Sequence, residues 1–129
     1  MCKTECQYED MLHFYNTNFV FDRKGTLIAK YWKQRLYIEP VFEVPKEHLL
    51  TYFETDFGVT FGTFICFDAL WDESFALLEK YPIITDIVQP TTWVDELPFL
   101  LAPLEQNGWA VGLVGSGYGY WDILTKGTN

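Results

Sequence analysis

Apolar positions are densest between Phe57 and Asp68, where aromatic and β-branched residues run almost without a break (Phe57-Gly-Val-Thr-Phe-Gly-Thr-Phe-Ile-Cys-Phe-Asp68). Val59, Phe61, Thr63 and Ile65 would share one face of a strand, with Phe64 and Cys66 on the other. A run that is apolar on both faces predicts a strand covered from two sides, here ending at Cys66. The period then changes: behind the acids Asp72 and Glu73, Phe75, Leu78 and Tyr81 recur at helical spacing, and Pro82 stops the pattern. This predicts a helix over Asp72–Lys80.

The flanking segments read as strands and turns. Asn18–Asp22 and Thr26–Trp32 are two apolar runs across a turn bearing Gly25, a hairpin signal. Leu49–Glu54 leads through Thr55–Gly58 back into the central strand as a second hairpin. Pro40 and Pro45 mark 39–46 as an extended loop. After the helix, Ile83–Val88 is a short apolar strand followed by the loop Gln89–Trp93. Strand, helix and strand joined by a right-handed crossover make a parallel pair, and sites in such sheets lie beyond the carboxyl ends of the strands. Cys66 and the loop 91–93 would therefore share one edge. Further on, Asp95–Gln106 reads as a helix broken by Pro98 and Pro103, Trp109–Val114 as one more strand, and the close spacing of Gly112, Gly115, Gly117 and Gly119 as coil to the end. Gly115-Ser-Gly-Tyr-Gly approaches a phosphate loop, but no Lys-Ser/Thr follows it.

Composition narrows the function classes. With 129 residues, 49% of them hydrophobic and 19% aromatic, the chain has the means to pack as one domain or part of one. A formal charge of -9 argues against a nucleic-acid partner, whose phosphates need a basic face. Small molecules or proteins fit better. The uncharged run from Gln106 to Trp121 falls short of the roughly 18 to 20 apolar residues of a membrane span, so no transmembrane segment is expected. No apolar signal-peptide core follows Met1. Three cysteines allow one disulfide with a free thiol, or three reduced thiols; Cys2 and Cys6 are close enough to pair. His13 and His48 are scattered, so no metal site is expected.

Two side chains carry candidate chemistry. Cys66 lies where strand gives way to helix, near backbone N–H groups that favour a negative charge, which suits a nucleophile. By packing alone, however, a free cysteine is a small buried hydrophobe. Lys33 follows Tyr31-Trp32 and reads either as a snorkelling surface residue or as a fixed cation directed into a site.

Taken together, Asn16–Lys33, Val44–Glu47, Phe61–Asp68 and Thr91–Trp93 with Leu97–Phe99 resemble the carbon-nitrogen hydrolase (nitrilase) superfamily, within it the pantetheinase (vanin) and biotinidase branch, over about residues 14–110. The resemblance implies an α/β fold, part of an α-β-β-α sandwich with a mixed β-sheet. It implies no cofactor, and a Glu, Lys and Cys triad that cleaves linear amide C–N bonds of pantetheine-like or biotin-amide-like substrates. It puts the lysine on Lys33, the nucleophile on Cys66 and a second, positioning glutamate on Glu39. The backbone N–H of Phe67 would hold the oxyanion with Lys33, and Thr91 and Trp93 would line the substrate. Cys2 and Cys6 resemble the cysteines just upstream of the branch's Asn-Thr-Asn motif, implying a disulfide.

The family's base glutamate lies well upstream of its lysine, and none of Glu5, Glu9 or Asp10 sits in that motif. The expectation is a partial catalytic domain over 14–110, between an irregular segment 1–13 and a divergent Gly-rich tail 111–129, with the triad incomplete. The parent protein would work outside the cell or at its surface. The alternatives are an inactive fragment or pseudoenzyme that binds rather than cleaves, and a cytosolic amidase of another branch. A half-sandwich would leave sheet faces uncovered and prone to self-association.

Overall fold

The computed structural model describes residues 12–93, 101–115 and 123–124. Strands β1 (Thr17–Phe21) and β2 (Leu27–Trp32) form the first hairpin, antiparallel, with a register irregularity between Val20 and Phe21. Its turn is closed by Asp22, whose Oδ1 accepts the N–H groups of Lys24 and Thr26 at 2.8 Å each. Gly25 supplies the φ of +81° that the turn demands. The second hairpin joins β3 (Thr51–Glu54) to β4 (Thr60–Thr63), also antiparallel, through a turn with Gly58 at φ +84°. Both hairpins lie where the sequence pattern placed them.

The central strand is shorter than its apolar run. The ladder covers Thr60–Thr63; Phe64 and Ile65 follow as buried irregular chain, and Cys66 opens a 3-10 helix, Cys66–Leu70. The cause is Asp68, which pulls the chain back on itself: its Oδ2 accepts from Ile65 N at 3.0 Å, and its own N–H donates to Ile65 O at 3.0 Å. Gly62, Thr63, Phe64 and Ile65 are all buried in succession, as the two-sided cover expected of this run implies.

Helix α1 (Asp72–Lys80) matches its predicted span, with Asp72 and Glu73 in the first turn and Lys80 in the last, each complementing the helix dipole. It buries Ser74, Leu77 and Leu78. Strand β5 covers only Asp86–Val88, because Ile84 N bonds back to Tyr81 O and makes 81–84 a turn. The β4–α1–β5 unit gives the expected parallel pair, Phe61 opposite Asp86 and Thr63 opposite Val88.

Of the segment read as a broken helix and a strand, residues 95–100 lie outside the described residues, and 102–114 belong instead to one helix, α2 (Ala102–Gly115). Pro103 falls in its first turn, where a missing N–H has no helical partner to lose, so it starts the helix rather than breaking it. Pro98 lies outside the described residues. Trp109 shows why 109–114 is not a strand: its ring stacks on Phe75 and leans on Phe64, and its Nε1 donates to Ser74 Oγ at 2.9 Å, fixing the segment against α1. The tail is not all coil either, because β6 (Ile123–Leu124) runs parallel to β5. The resulting mixed sheet has the order β3-β4-β5-β6.

The core gathers Leu77, Leu78, Ile84 and Ile87 with Phe64, Ile65 and Trp109. Gly62 is where α1 and β5 close on β4: a Cβ there would lie 2.8 Å from both Ile87 Cδ1 and Leu77 Cδ2. Gly62→Ala is expected to lower stability by about 1–3 kcal/mol through overpacking, read as a lower denaturation midpoint in urea at unchanged slope; an unchanged midpoint would show that the core yields. In the first hairpin, Phe19, Phe21, Leu27 and Ile28 are exposed. Among the described residues no helix is long and apolar enough to cross a membrane, and no cluster of His, Cys, Asp or Glu could hold a metal ion.

Candidate active site

The loop after β5 holds Cys66 from three directions. Cys66 N donates to Pro90 O at 3.0 Å, its carbonyl accepts from Gln89 Nε2 at 3.0 Å, and its Sγ lies 3.5 Å from Thr92 O. Cys66 is a free, half-buried thiol. Thus the shared edge expected from the parallel pair exists, with Cys66 and Thr91–Trp93 in one place. Thr91 forms an isolated β-bridge; its Oγ1 is buried without a hydrogen-bond partner, and Trp93 is half-buried beside it.

Lys33 is the second centre. It is 3% exposed, which removes the snorkelling reading and makes it a fixed cation. Its N–H is anchored on Asn16 O at 2.8 Å, and its Nζ pairs with Glu39 Oε2. Glu39 is further held by Asn16 Nδ2 at 2.6 Å and by Tyr37 N at 3.0 Å. Burial pushes the Glu39 carboxyl up, but the bonds from Lys33, Tyr37 and Asn16 outweigh it, so the group sits below the usual range as a carboxylate.

Among the described residues the only non-glycine positions with positive φ are Cys66 at +49° and Ile38, next to Glu39, at +50°. A β-branched residue in that region is strained, and strain of this kind collects where surrounding structure fixes a functional group. Both outliers flank candidate site residues.

One buried carboxylate joins the two centres. Asp68, 1% exposed, accepts from Tyr31 Oη at 2.8 Å and Ile65 N at 3.0 Å on Oδ2, and from Gln34 N at 3.1 Å and Arg35 N at 2.7 Å on Oδ1. The chain just after Lys33 is thereby tied to the chain just before Cys66. Burial pushes the Asp68 carboxyl up against the pull of those four donors. Tyr31 is pushed up as well, by burial and then by the neighbouring Asp68 charge, so its hydroxyl stays a donor. Phe67, whose ring packs on Tyr37 at 5.0 Å between centroids, adds a second tie between the two segments.

The structure therefore brings Cys66, Phe67, Thr91 and Trp93 to one edge, joins Lys33 to Glu39, and links the two groups through Asp68. Cys2, Cys6, Glu5, Glu9 and Asp10 lie outside the described residues. Sequence reading passed over Asp68, Gln89 and Glu105, and quoted Asn16 without a role. Asp68 had a signal, a carboxylate at the end of an apolar run two residues after the cysteine. Gln89 and Glu105 had none, because nothing local says what they face. Burial raises the Glu105 carboxyl to about 7, against the opposing pull of Gln89.

A carbon-nitrogen hydrolase family model matches residues 3–94. The chain is 47% identical over 110 residues to vanin-like protein 1 of Drosophila melanogaster, covering 82% of this chain and 20% of that protein. It is 44% identical over 100 residues to human pantetheinase, covering 77% and 19% respectively. Against Bos taurus biotinidase it is 37% identical over 113 residues, covering 88% and 21%. The chain thus spans about a fifth of the length of the curated relatives it matches. Among solved structures it is similar to an amidase from Nesterenkonia sp. AN1, with a TM-score of 0.56 at 23% identity, over 73% of this chain and 37% of that one. That likeness speaks for the fold alone, part of the nitrilase-type sandwich with a mixed sheet.

Proposed function

Because this chain belongs to the carbon-nitrogen hydrolase family, we propose that it carries the nucleophile and the oxyanion site of a thiol-dependent amidase acting on pantetheine-like amides. The observation that supports this best is the pairing of a strained, half-buried Cys66 with a buried, carboxylate-held Lys33, fixed to one another by Asp68.

In the reaction, Cys66 Sγ attacks the amide carbonyl carbon and forms an S–C bond while the carbonyl oxygen takes up negative charge. Lys33 Nζ and the Phe67 N–H hold that oxyanion. Collapse breaks the C–N bond, the amine leaves with a proton, and water hydrolyses the thioester. Glu39 pairs with Lys33 and orients it, while Thr91 and Trp93 line the substrate. The thiol proton needs a general base. Of the carboxylates near these segments, Glu39 is committed to Lys33, Asp68 to its four donors, Glu73 to Arg35 and Glu105 to Gln89, so we assign the base to a residue outside the described ones.

The test is to incubate the chain with pantetheine, follow cysteamine release and map acylated peptides by mass spectrometry, with a biotin amide in parallel. A pantothenoyl thioester on Cys66 is expected. A folded chain that neither releases cysteamine nor acylates on Cys66 would overturn the reading and leave the scaffold as a binding module. Lys33→Ala is expected to slow acylation by about two to four kcal/mol, the usual cost of one oxyanion donor. An unchanged acylation rate would remove Lys33 from the chemistry.

A further inference from the structure

The peptide between Cys66 and Phe67 carries both the N–H assigned above to the oxyanion and the Cys66 carbonyl, and a trans peptide points these two groups in opposite directions. Whatever holds the carbonyl therefore aims the N–H. The holder is Gln89, 3% exposed at the end of β5, which donates from Nε2 to Cys66 O at 3.0 Å. The other hydrogen of the same amide goes to Glu105 Oε1 on α2, at 3.5 Å. Glu105 borders a cavity of about 360 Å³ whose other lining, including Ala69, Leu70, Phe75 and Trp109, is uncharged. The nearest acids of the adjoining elements face elsewhere, Asp68 to Tyr31 and Glu73 to Arg35. Glu105 is thus turned to Gln89, and because the Cys66 carbonyl only accepts, as does Glu105 in its ionised form, the two together select the orientation in which the Gln89 amide presents its NH2 group.

We propose that Gln89, anchored by Glu105, is a positioning residue of the oxyanion site: it locks the Cys66–Phe67 peptide with its N–H on the side away from β5. The inference rests on the reading of Cys66 as nucleophile and of the Phe67 N–H as oxyanion donor. The lock restrains two soft torsions, ψ of Cys66 and φ of Phe67, about which this peptide turns as a rigid plane. Without its tether the peptide is free to rotate about them, which turns a carbonyl oxygen toward the place where negative charge develops.

Two probes on the full 129-residue chain separate the oxyanion site from the thiol. A short aliphatic aldehyde, propionaldehyde, adds reversibly to Cys66: Sγ bonds to the carbonyl carbon, the C=O π bond opens, and the thiol proton ends on the oxygen, which occupies the oxyanion position. Iodoacetamide alkylates the same sulfur by displacing iodide and forms no oxyanion. Gln89→Met keeps the volume but loses the donor. It is expected to weaken the aldehyde adduct about tenfold or more while leaving the alkylation rate within about twofold. Glu105→Leu should weaken the adduct by a smaller factor, and Glu105→Gln, which retains an acceptor oxygen, should restore most of it.

Equal aldehyde affinity in wild type and Gln89→Met would overturn the proposal, as would an alkylation rate that falls in step with it. Should Gln89→Met fail to fold, the Glu105→Leu and Glu105→Gln pair decides, and equal adduct strength in the two would overturn it. A wild-type chain that alkylates on Cys66 yet forms no aldehyde adduct would instead sink the oxyanion reading itself.

Discussion

Cys66→Ala is expected to abolish any pantetheine cleavage and thioester formation by this chain while leaving it folded. The rate loss is expected to reach at least about 10³-fold, since removal of a nucleophile that acts as a unit with its partners leaves only the contribution of binding and oxyanion contacts. Folding survives because the side chain is only half-buried and, among the described residues, its one polar contact is a 3.5 Å approach to Thr92 O. The backbone bonds to Pro90 and Gln89 remain in the alanine variant. The measurement is cysteamine release per mole of folded chain, with circular dichroism on the same sample. Turnover retained in a folded Cys66→Ala sample would remove Cys66 from the mechanism.

The largest stability effect is expected at Asp68. Asp68→Ala strips the acceptor from two buried backbone N–H groups, a third that is partly buried, and the Tyr31 hydroxyl at once. An orphaned buried donor costs about 1–3 kcal/mol, partly recovered as water or a shifted chain reaches it. The expected net loss is therefore about 3–5 kcal/mol, a large part of the margin of an ordinary domain. Asp68→Asn keeps one acceptor oxygen but places an NH2 group against other donors, and it should lose roughly half as much. Urea unfolding of the three proteins gives the order wild type, Asn, Ala. A loss under about 1 kcal/mol for alanine would mean that the carboxylate does not carry the junction. Because Asp68 ties the Lys33 segment to the Cys66 turn, the asparagine variant should also acylate more slowly than wild type even where it is fully folded.

Much of this arrangement was legible beforehand, for a definite reason. The two hairpins follow from alternating apolar runs across Gly25 and Gly58, whose positive φ values are a local requirement of the turns. Helix α1 follows from its period and its terminal charges, and the parallel β4–β5 pair from the handedness of the crossover. The positions of Cys66, Lys33 and Glu39 came from the resemblance of whole motifs rather than from any one residue.

What local pattern misled was the end of the central run and the last third of the chain. An apolar stretch does not say where its ladder stops, and here a side chain three residues on, Asp68, ended it by bonding to Ile65 N. Nor does an apolar stretch with glycines distinguish strand from buried helix; residues 109–114 are helical because Trp109 found Phe75 and Ser74 on α1.

By itself, then, the sequence determined the periodic elements, the turns and the residue types available for amide chemistry, since each depends on neighbours within a few positions. Tertiary structure decided that Lys33 is a buried cation held by Glu39 and that one carboxylate joins two distant segments. It also decided that the amide of Gln89 grips the Cys66 carbonyl. These are contacts between residues as far apart in the chain as Tyr31 and Asp68, 37 positions. Their free energy comes from desolvated polar groups meeting only when the chain has closed, and no local pattern encodes which groups will meet.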